Sequence, residues 1–563
     1  MMNQTVYDTS EVLALKGIRH VVLSPGSRNA PLTISFARNS KIKTYNIVDE
    51  RSAGFIALGM AQKLKEPVVI CCTSGTSLLN YAPAVAEAYY QEIPLIVMSA
   101  DRPPEWIGQR DGQTIDQLGA LSNFVKGTFQ LPSSPEHQDE RWEYIRKLND
   151  AVNLARFPKV GPVHINIPFK EPFYPLPEQS LEFSSNPKII APIATKTSRE
   201  LQPETIAKWH QASRKLIVIG QHDLDQELDE LLEAVGDQTV VVTDVISNST
   251  YSSAIRHHDL FLAGIDQRLA DSLRPELVLT IGKSVISKNL KLFLRNNPAT
   301  ELWHVCSHGD QMDTYQALTG VINADSRGFL RQVIDRPDKS DFDQQIASNF
   351  IQNWKLADDT TNRKLNKALS VLDWAEFTAF DQVLKAIPEG SDIHLANSMP
   401  VRFANFIQQL KPNCEVFCNR GTSGIDGTNG TAVGHALSTD RPTYLLTGDL
   451  SFFYDRNAFF HPFPLDNLKI IVFNNYGGGI FRLINGPGSL PELEQHFEIR
   501  HSHTAKFTAL EYDFDYHGVK DKEGLEKALL AISKDHKSPK LIEVFTDPAT
   551  NLDVFKAVKV AVK

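Results

Sequence analysis

Cysteine is scarce in this chain: five among 563 residues (Cys71, Cys72, Cys306, Cys414 and Cys418), an odd number with no Cys-x-x-Cys pair. That argues against a disulfide framework or a zinc site. No apolar run approaches the roughly 18–20 residues that a membrane-spanning helix needs. The opening Met1-Met2-Asn3-Gln4-Thr5-Val6-Tyr7-Asp8 lacks a basic region followed by an apolar one, so a soluble, cytoplasmic protein is expected. Positive charge is not in excess either, since 58 Lys and Arg against 67 Asp and Glu leave a net charge of −9. Such a balance argues against nucleic-acid binding through a broad basic face and requires anionic ligands to be met locally. Sequence repeats and low-complexity tracts are absent as well.

What is present is a globular balance, 42% hydrophobic and 22% charged. At roughly 100–200 residues per domain the length calls for about three or four domains. Short apolar, β-branched runs alternate with longer amphipathic ones. Strands are predicted at 20–23, 44–48, 67–72, 94–99 and 162–167, with helices at 52–65, 78–91 and 136–156 between them. Proline at 168, 172, 175, 177, 187 and 192 makes the following stretch a linker. Strands at 216–220, 239–243, 277–282 and 302–306 form a second unit, and the polar stretch 335–359, with Pro337, reads as a second connection. Strands at 392–395, 415–418, 443–447, 469–474 and 540–545 form a third. The pattern predicts an α/β protein whose three domains, at 1–180, 195–340 and 365–563, carry parallel sheets flanked by helices.

Two strand ends carry chemistry. The run Tyr444-Leu445-Leu446 ends in Thr447-Gly448-Asp449-Leu450-Ser451, and 25 residues separate Asp449 from Asn475 in Asn474-Asn475-Tyr476-Gly477-Gly478-Gly479, which closes the run Ile470-Ile471-Val472-Phe473. Asp449 and Asn475 thus fall at the carboxyl edge of a parallel sheet, where open α/β sheets place ligands. A carboxylate, an amide oxygen and a nearby carbonyl are hard donors that suit Mg2+ and leave room for phosphate oxygens. Either half alone is equally an ordinary strand-end turn. The pair at this spacing resembles the diphosphate and metal motif of thiamine diphosphate (ThDP) enzymes. The resemblance implies that Asp449, Asn475 and the carbonyl of Gly477 hold Mg2+ or Mn2+, with Gly448, Leu450, Ser451 and Gly478 beside the cofactor. The family more often has Gly where this chain has Leu450.

ThDP enzymes carry a glutamate in another catalytic domain, at a strand end that opens a helix, and Asn46-Ile47-Val48-Asp49-Glu50-Arg51-Ser52 supplies one here. Glu50 would hydrogen-bond the cofactor's pyrimidine and favour the imino tautomer that removes the thiazolium proton. Acids at this place also suit a helix N-terminus by capping and dipole alone. Cys72-Thr73-Ser74-Gly75-Thr76-Ser77, with Thr73 and Gly75 near the cofactor, and Gly161-Pro162-Val163-His164-Ile165-Asn166-Ile167-Pro168 add to the likeness. Residues 1–180 would be the pyrimidine-binding domain and 365–563 the diphosphate- and metal-binding domain. The central domain lacks Gly-x-Gly-x-x-Gly, so no second organic cofactor is expected. Because these catalytic domains usually meet between subunits, the resemblance implies a homodimer or a dimer of dimers.

Further segments resemble one branch of the superfamily, the carboligase of menaquinone biosynthesis. They are Ser24-Pro25-Gly26-Ser27-Arg28-Asn29-Ala30-Pro31-Leu32, Ala100-Asp101-Arg102-Pro103-Pro104-Glu105, Asn397-Ser398-Met399-Pro400-Val401-Arg402 and Asn419-Arg420-Gly421-Thr422-Ser423-Gly424-Ile425-Asp426-Gly427. Gly479-Ile480-Phe481 completes the set. The likeness implies a transferase that decarboxylates 2-oxoglutarate and adds the resulting succinic-semialdehyde carbanion to isochorismate, releasing CO2. Both substrates are dicarboxylates, and arginine's planar fork suits such groups. By position in these motifs, Ser27, Arg28, Arg102, Gln113, Ser398, Arg402 and Arg420 would contact substrate. Gly424 and Ile480 would lie beside the cofactor, Ile425 would wedge it into its bent conformation, and Ile480 and Phe481 would wall the reacting carbon, although core packing explains those apolar residues equally well. The branch commonly has a Lys-Arg pair in the middle domain where this chain has Lys288-Asn289, so only Lys288 carries over. The same Glu50, Asp449 and Asn475 would serve another ThDP-dependent 2-oxoacid decarboxylase or carboligase, and a catalytically silent ThDP-fold binding module is the alternative from another class.

Overall fold

The computed structural model describes residues 3–133, 135–176, 179, 181–192, 200–335, 340–484, 486–534 and 538–563. Its strands form three wholly parallel sheets. The first comprises β1 (His20–Leu23), β2 (Lys43–Asn46), β3 (Val68–Cys72), β4 (Leu95–Asp101), β5 (Thr128–Gln130) and β6 (Val163–Pro168), in the order β2-β1-β3-β4-β6-β5. The second comprises β7 (Lys215–Ile219), β8 (Thr239–Thr243), β9 (Leu277–Ile281), β10 (Glu301–Val305) and β11 (Gly320–Ile322), in the order β11-β10-β9-β7-β8. The third comprises β12 (Asp392–Leu395), β13 (Glu415–Phe417), β14 (Thr443–Gly448), β15 (Leu468–Asn474), β16 (Asp515–Val519) and β17 (Lys540–Phe545), in the order β13-β12-β14-β15-β17-β16. Counted from its own first strand, the third sheet repeats the order of the first, an internal likeness of architecture without a sequence repeat.

Central strands such as β3, β4 and β15 are buried at every position because helices cover both faces, and they were legible as unbroken apolar runs. All predicted strands form, with ends within two residues of those expected. Three strands were not predicted: β5, β11 and β16 are edge strands, largely half-buried or exposed, whose sequences carry too few apolar residues to announce them.

Two helical expectations need correction. The single helix expected at 78–91 is two, Thr76–Asn80 and Ala82–Gln91, because Pro83 lacks the N–H that would continue the first. The stretch expected to be a second connection instead forms the helix Asp341–Val371, capped by Ser340. Its polar majority faces solvent, while Ala347, Phe350, Ile351, Trp354, Leu365 and Ala368 recur at helical spacing and are buried. Trp354 packs edge-on against Phe261, Phe293 and Phe350. The domain limits drawn at residues 1, 180 and 195, and Pro177 and Pro337, lie outside the described residues. Among the described residues no helix is long and apolar enough to cross a membrane.

The first and third sheets are joined through the helices that follow β2 and β13, Glu50–Leu64 and Thr428–Ala436. A Cβ on Gly59 would lie 2.0 Å from the Thr431 carbonyl oxygen, and one on Gly434 would lie 1.8 Å from that of Ile56. Backbones this close admit only glycine at the crossing. One apolar cluster consequently runs from Val22, Ile56 and Val97 through Val433 to Leu445 and Ile470.

Candidate active site

At the carboxyl edge of the first sheet, loops after β1, β3 and β4 converge. A Cβ on Gly26 would fall 2.3 Å from that of Thr73, and one on Gly75 (φ 87°) would touch the Gln113 backbone at 3.3 Å. The Ser27, Thr73 to Gly75 and Gln113 segments are thereby brought together, with Gln117 accepting the Gly75 N–H at 2.8 Å. Arg28 is buried, donates to the Phe169 carbonyl at 2.8 Å and lies 4.4 Å over the Phe173 ring. Arg102 donates to the Gly112 carbonyl at 2.7 and 3.2 Å and pairs with Asp111 at 3.3 Å. Ser27 and Gln113 are exposed.

Glu50 is the first residue of its helix, behind Asp49, whose side chain caps the Ser52 N–H. The Glu50 carboxyl is half-buried and accepts from Ser77 Oγ at 2.7 Å and Asn80 Nδ2 at 3.3 Å. It faces a cavity of about 510 Å3 shared with Val48, Asn457 and Phe460.

In the third sheet β14 and β15 are neighbours, with Gly448 opposite Phe473, so Asp449 and Asn475 emerge side by side. Asp449 accepts the N–H of Leu450 at 2.6 Å and that of Gly477 at 3.0 Å, and His501 Nε2 stands 3.3 Å from it. The paired asparagines divide their work. Asn474 is an anchor, donating to Glu543 at 2.7 Å and the His503 carbonyl at 3.0 Å. Asn475 donates to Glu376 at 2.7 Å, and its Oδ1 accepts nothing from the described residues. Gly477 and Gly478 wrap the Glu498 carbonyl, which a Cβ on Gly477 would approach to 2.8 Å and to which the Gly478 N–H donates at 2.7 Å. Among the described residues no group of three His, Cys, Asp or Glu side chains is arranged for a metal, so a cation site here depends on amide and carbonyl oxygens. The unpaired Asn475 Oδ1, the Asp449 carboxylate and the Gly477 carbonyl fit a hard divalent cation. Ser451 Oγ donates to the Ile425 carbonyl at 2.7 Å, tying that exposed isoleucine to the Asp449 helix. Ile480 and Phe481 open the short helix Ile480–Leu483, Phe481 packing on Phe497 at 5.7 Å.

A third cluster is cationic. Arg420 donates to Asn397 Oδ1 at 2.9 Å, while its buried Nε has no hydrogen-bond partner among the described residues. Arg402 donates to the Ser398 carbonyl. Burial, and then the neighbouring Arg420 charge, hold the Arg402 guanidinium below its usual range. Ser398 (φ 76°) and Ser423 (φ 64°) take left-handed conformations beside these arginines, as Gln113 (φ 53°) and Tyr476 (φ 65°) do beside other candidates. Such strain clusters where function over-determines the backbone.

Residues that sequence reasoning missed hold this framework. Glu87, from the helix Ala82–Gln91, accepts the N–H groups of Gly421 and Thr422 at 2.7 and 2.6 Å and so fixes the Arg420 loop. Burial pushes the Glu376 carboxyl up to about 7, the Asn475 hydrogen bond opposing this and the Asp449 charge adding to it. Lys288 is exposed, whereas Lys291, one turn further on, is held low first by burial and also by Arg420. Asn289 is committed to Asp259, donating from Nδ2 to its carbonyl at 2.7 Å. No local signal marked Glu87 or Glu376, because each acts on a distant segment. Within one chain, among the described residues, no hydrogen bond or ion pair joins Glu50 to Asp449 or Asn475.

A family model described as "Thiamine pyrophosphate enzyme, N-terminal TPP binding domain" matches residues 7–120, and "Middle domain of thiamine pyrophosphate" matches residues 185–390. A 2-succinyl-5-enolpyruvyl-6-hydroxy-3-cyclohexene-1-carboxylate (SEPHCHC) synthase of Cytophaga hutchinsonii is 41% identical over 99% of this chain and 98% of its own length. The chain belongs to the SEPHCHC synthase family. SEPHCHC synthases of Flavobacterium johnsoniae (38% identical, 97% of this chain, 96% of the relative) and Porphyromonas gingivalis (37%, 97% and 95%) are similarly alike. Like the rest of the SEPHCHC synthase family, the chain is a ThDP-dependent transferase that forms a carbon–carbon bond, in menaquinone biosynthesis. Its three parallel sheets are those of a ThDP-enzyme α/β fold.

Proposed function

We propose that this chain decarboxylates 2-oxoglutarate and joins the remaining four-carbon unit to isochorismate, releasing CO2. It would do so with ThDP and Mg2+ or Mn2+ bound between the subunits of a cytoplasmic homodimer or dimer of dimers. The observation that carries this reading is the Arg402 and Arg420 pair. Two guanidinium groups that repel each other in a half-buried place, one with a buried Nε that has no partner among the described residues, are unfavourable for the fold by itself. They become favourable when a dicarboxylate is the ligand. The relatives are named for making a carboxylate.

The divalent cation would be held by Asp449, Asn475 Oδ1 and the Gly477 carbonyl, and would neutralise diphosphate charge. When bound, ThDP supplies an electron sink for the electron pair left as CO2 departs. The chain's own residues do the rest. Glu50, already aligned by Ser77 and Asn80, accepts a hydrogen bond from the cofactor's pyrimidine ring and sets where that ring's proton resides. Thr73, Gly75, Gly448, Leu450, Ser451 and Gly478 line the cofactor, and Gly424 and Ile425 press on it from the loop held by Ser451 and Asn397. Arg402 and Arg420, with Ser398 and Lys288, orient carboxylates so that the reacting carbons meet. Ser27, Arg28, Arg102 and Gln113 bind the second substrate from the first sheet's edge, and Ile480 and Phe481 exclude water. A two-substrate assay with product mass tests this: isochorismate should be consumed only when 2-oxoglutarate is present. Turnover of pyruvate in its place, with none of 2-oxoglutarate, would overturn the reading.

A further inference from the structure

The oxygen and NH2 ends of an amide are nearly alike in shape, so nothing in Asn475 itself decides which end is offered to a cation. Its partner decides. Glu376 Oε2 accepts from Asn475 Nδ2 at 2.7 Å and also from Asn551 Nδ2 at 3.4 Å. The Asn551 N–H marks Oε2 as the accepting oxygen of the carboxyl whether or not the other oxygen carries a proton, so the NH2 end of Asn475 is turned to Glu376 and Oδ1 is the end left over. The carboxyl is itself fixed. Glu376 opens the helix Glu376–Ala386, its backbone N–H donates to Asn551 Oδ1 at 2.8 Å, and Asn551 is held to Thr546 at 2.9 Å. Next to it, Trp374 Nε1 donates to the Phe545 carbonyl at 3.2 Å.

Glu376 is also only 4% exposed. Among the described residues no Lys, Arg or His pairs with it, although buried acids are costly unless compensated. A fold that needed only a filler there would have no reason to keep a carboxylate next to Asp449.

We propose that Glu376 is a positioning residue that presents Asn475 Oδ1 to the divalent cation, an inference that rests on reading Asn475 as a cation ligand. Outer-shell partners of this kind typically govern 10–100-fold in metal affinity. The test uses the full chain with ThDP, Mn2+ as the probe, and free Mn2+ read from its EPR signal, beside the melting temperature of the metal-free protein. E376Q should bind Mn2+ about 10–100-fold more weakly, with its metal-free melting temperature no lower than that of the parent, because Gln can face Asn475 with either end. N475D/E376Q exchanges donor and acceptor, so an oxygen again faces the cation and most of the lost affinity should return. Unchanged Mn2+ affinity in E376Q, or no recovery in the double variant, overturns the proposal. If E376Q does not fold, the double variant must still bind Mn2+ at least about tenfold more tightly than N475D, in which two carboxylates oppose each other; equal affinities would overturn it. N475A separates the layers: normal Mn2+ binding there removes Asn475 from the site altogether, whereas weakened binding in N475A with normal binding in E376Q removes only the role of Glu376.

Discussion

Glu50 has two hydrogen-bond donors, Ser77 and Asn80, and among the described residues no ion pair, so its carboxylate stays oriented without being neutralised. Glu50→Gln keeps the shape and removes the charge. It should retain ThDP binding and lose about 10²–10⁴-fold in turnover, the range a positioned acid or base commands. Hydrogen–deuterium exchange at the thiazolium C2 is the direct check, and a near-parental rate would remove Glu50 from its role. Asp455 gives a pH prediction. Burial pushes its carboxyl from 3.8 to about 7, the Asp426 and Asp49 charges adding to this while the Gly430 N–H and Arg51 oppose it. The folded chain thus keeps a proton that the unfolded chain releases, so this group's stabilisation is full below pH 3.8 and is lost as pH rises through about 7. Asp455→Asn removes the titration, and its melting temperature should gain on the parent's between pH 5 and 8. A constant difference across that range would contradict the assignment. At this scale Asp449 was legible because a carboxylate directly behind a glycine at a strand end is a local pattern. That Asn474 is an anchor bonded to Glu543 while Asn475 bonds Glu376 was not legible, because neither glutamate is local.

The crossing of Glu50–Leu64 on Thr428–Ala436 belongs to the scale of elements. Gly434→Ala would place a methyl 1.8 Å from a backbone carbonyl, which cannot move aside as a flexible side chain can. Overpacking of about 1–3 kcal/mol should outweigh the roughly 1 kcal/mol that alanine gains in a helix. The expected result is a lower melting temperature, measured calorimetrically, and an unchanged value would mean that the helices separate freely. Strand reading worked where both faces are covered, and at the edge strands β2, β8 and β13, and failed at β5, β11 and β16, edge strands that are short or polar and largely half-buried or exposed. The helix Asp341–Val371 escaped for the converse reason: its abundant Asp, Asn and Gln mask a stripe visible only at a period of 3.6.

For the whole molecule, the proposed sharing of each site between subunits makes a strong demand. If Glu50 of one subunit serves the Asp449 of its partner, E50Q and D449A homodimers are both inactive, yet a mixed dimer has one site with both changes and one with neither. Random exchange of equal amounts should restore roughly a quarter of parental activity. A site complete within one chain would leave the mixture inactive.

The sequence alone determined the α/β class and the buried strands, and it placed Asp449 and Asn475 after strand ends and Glu50 at a helix start, because burial on two faces and turn residues impose local patterns. Only the tertiary structure decided that the outer sheets share one strand order, that Gly59 and Gly434 let their helices touch, and that Glu87 and Glu376 hold loops 334 and 99 residues away. The reason is physical: a buried carboxylate takes its role from the donors that folding brings to it, and those donors leave no trace in its neighbours along the chain.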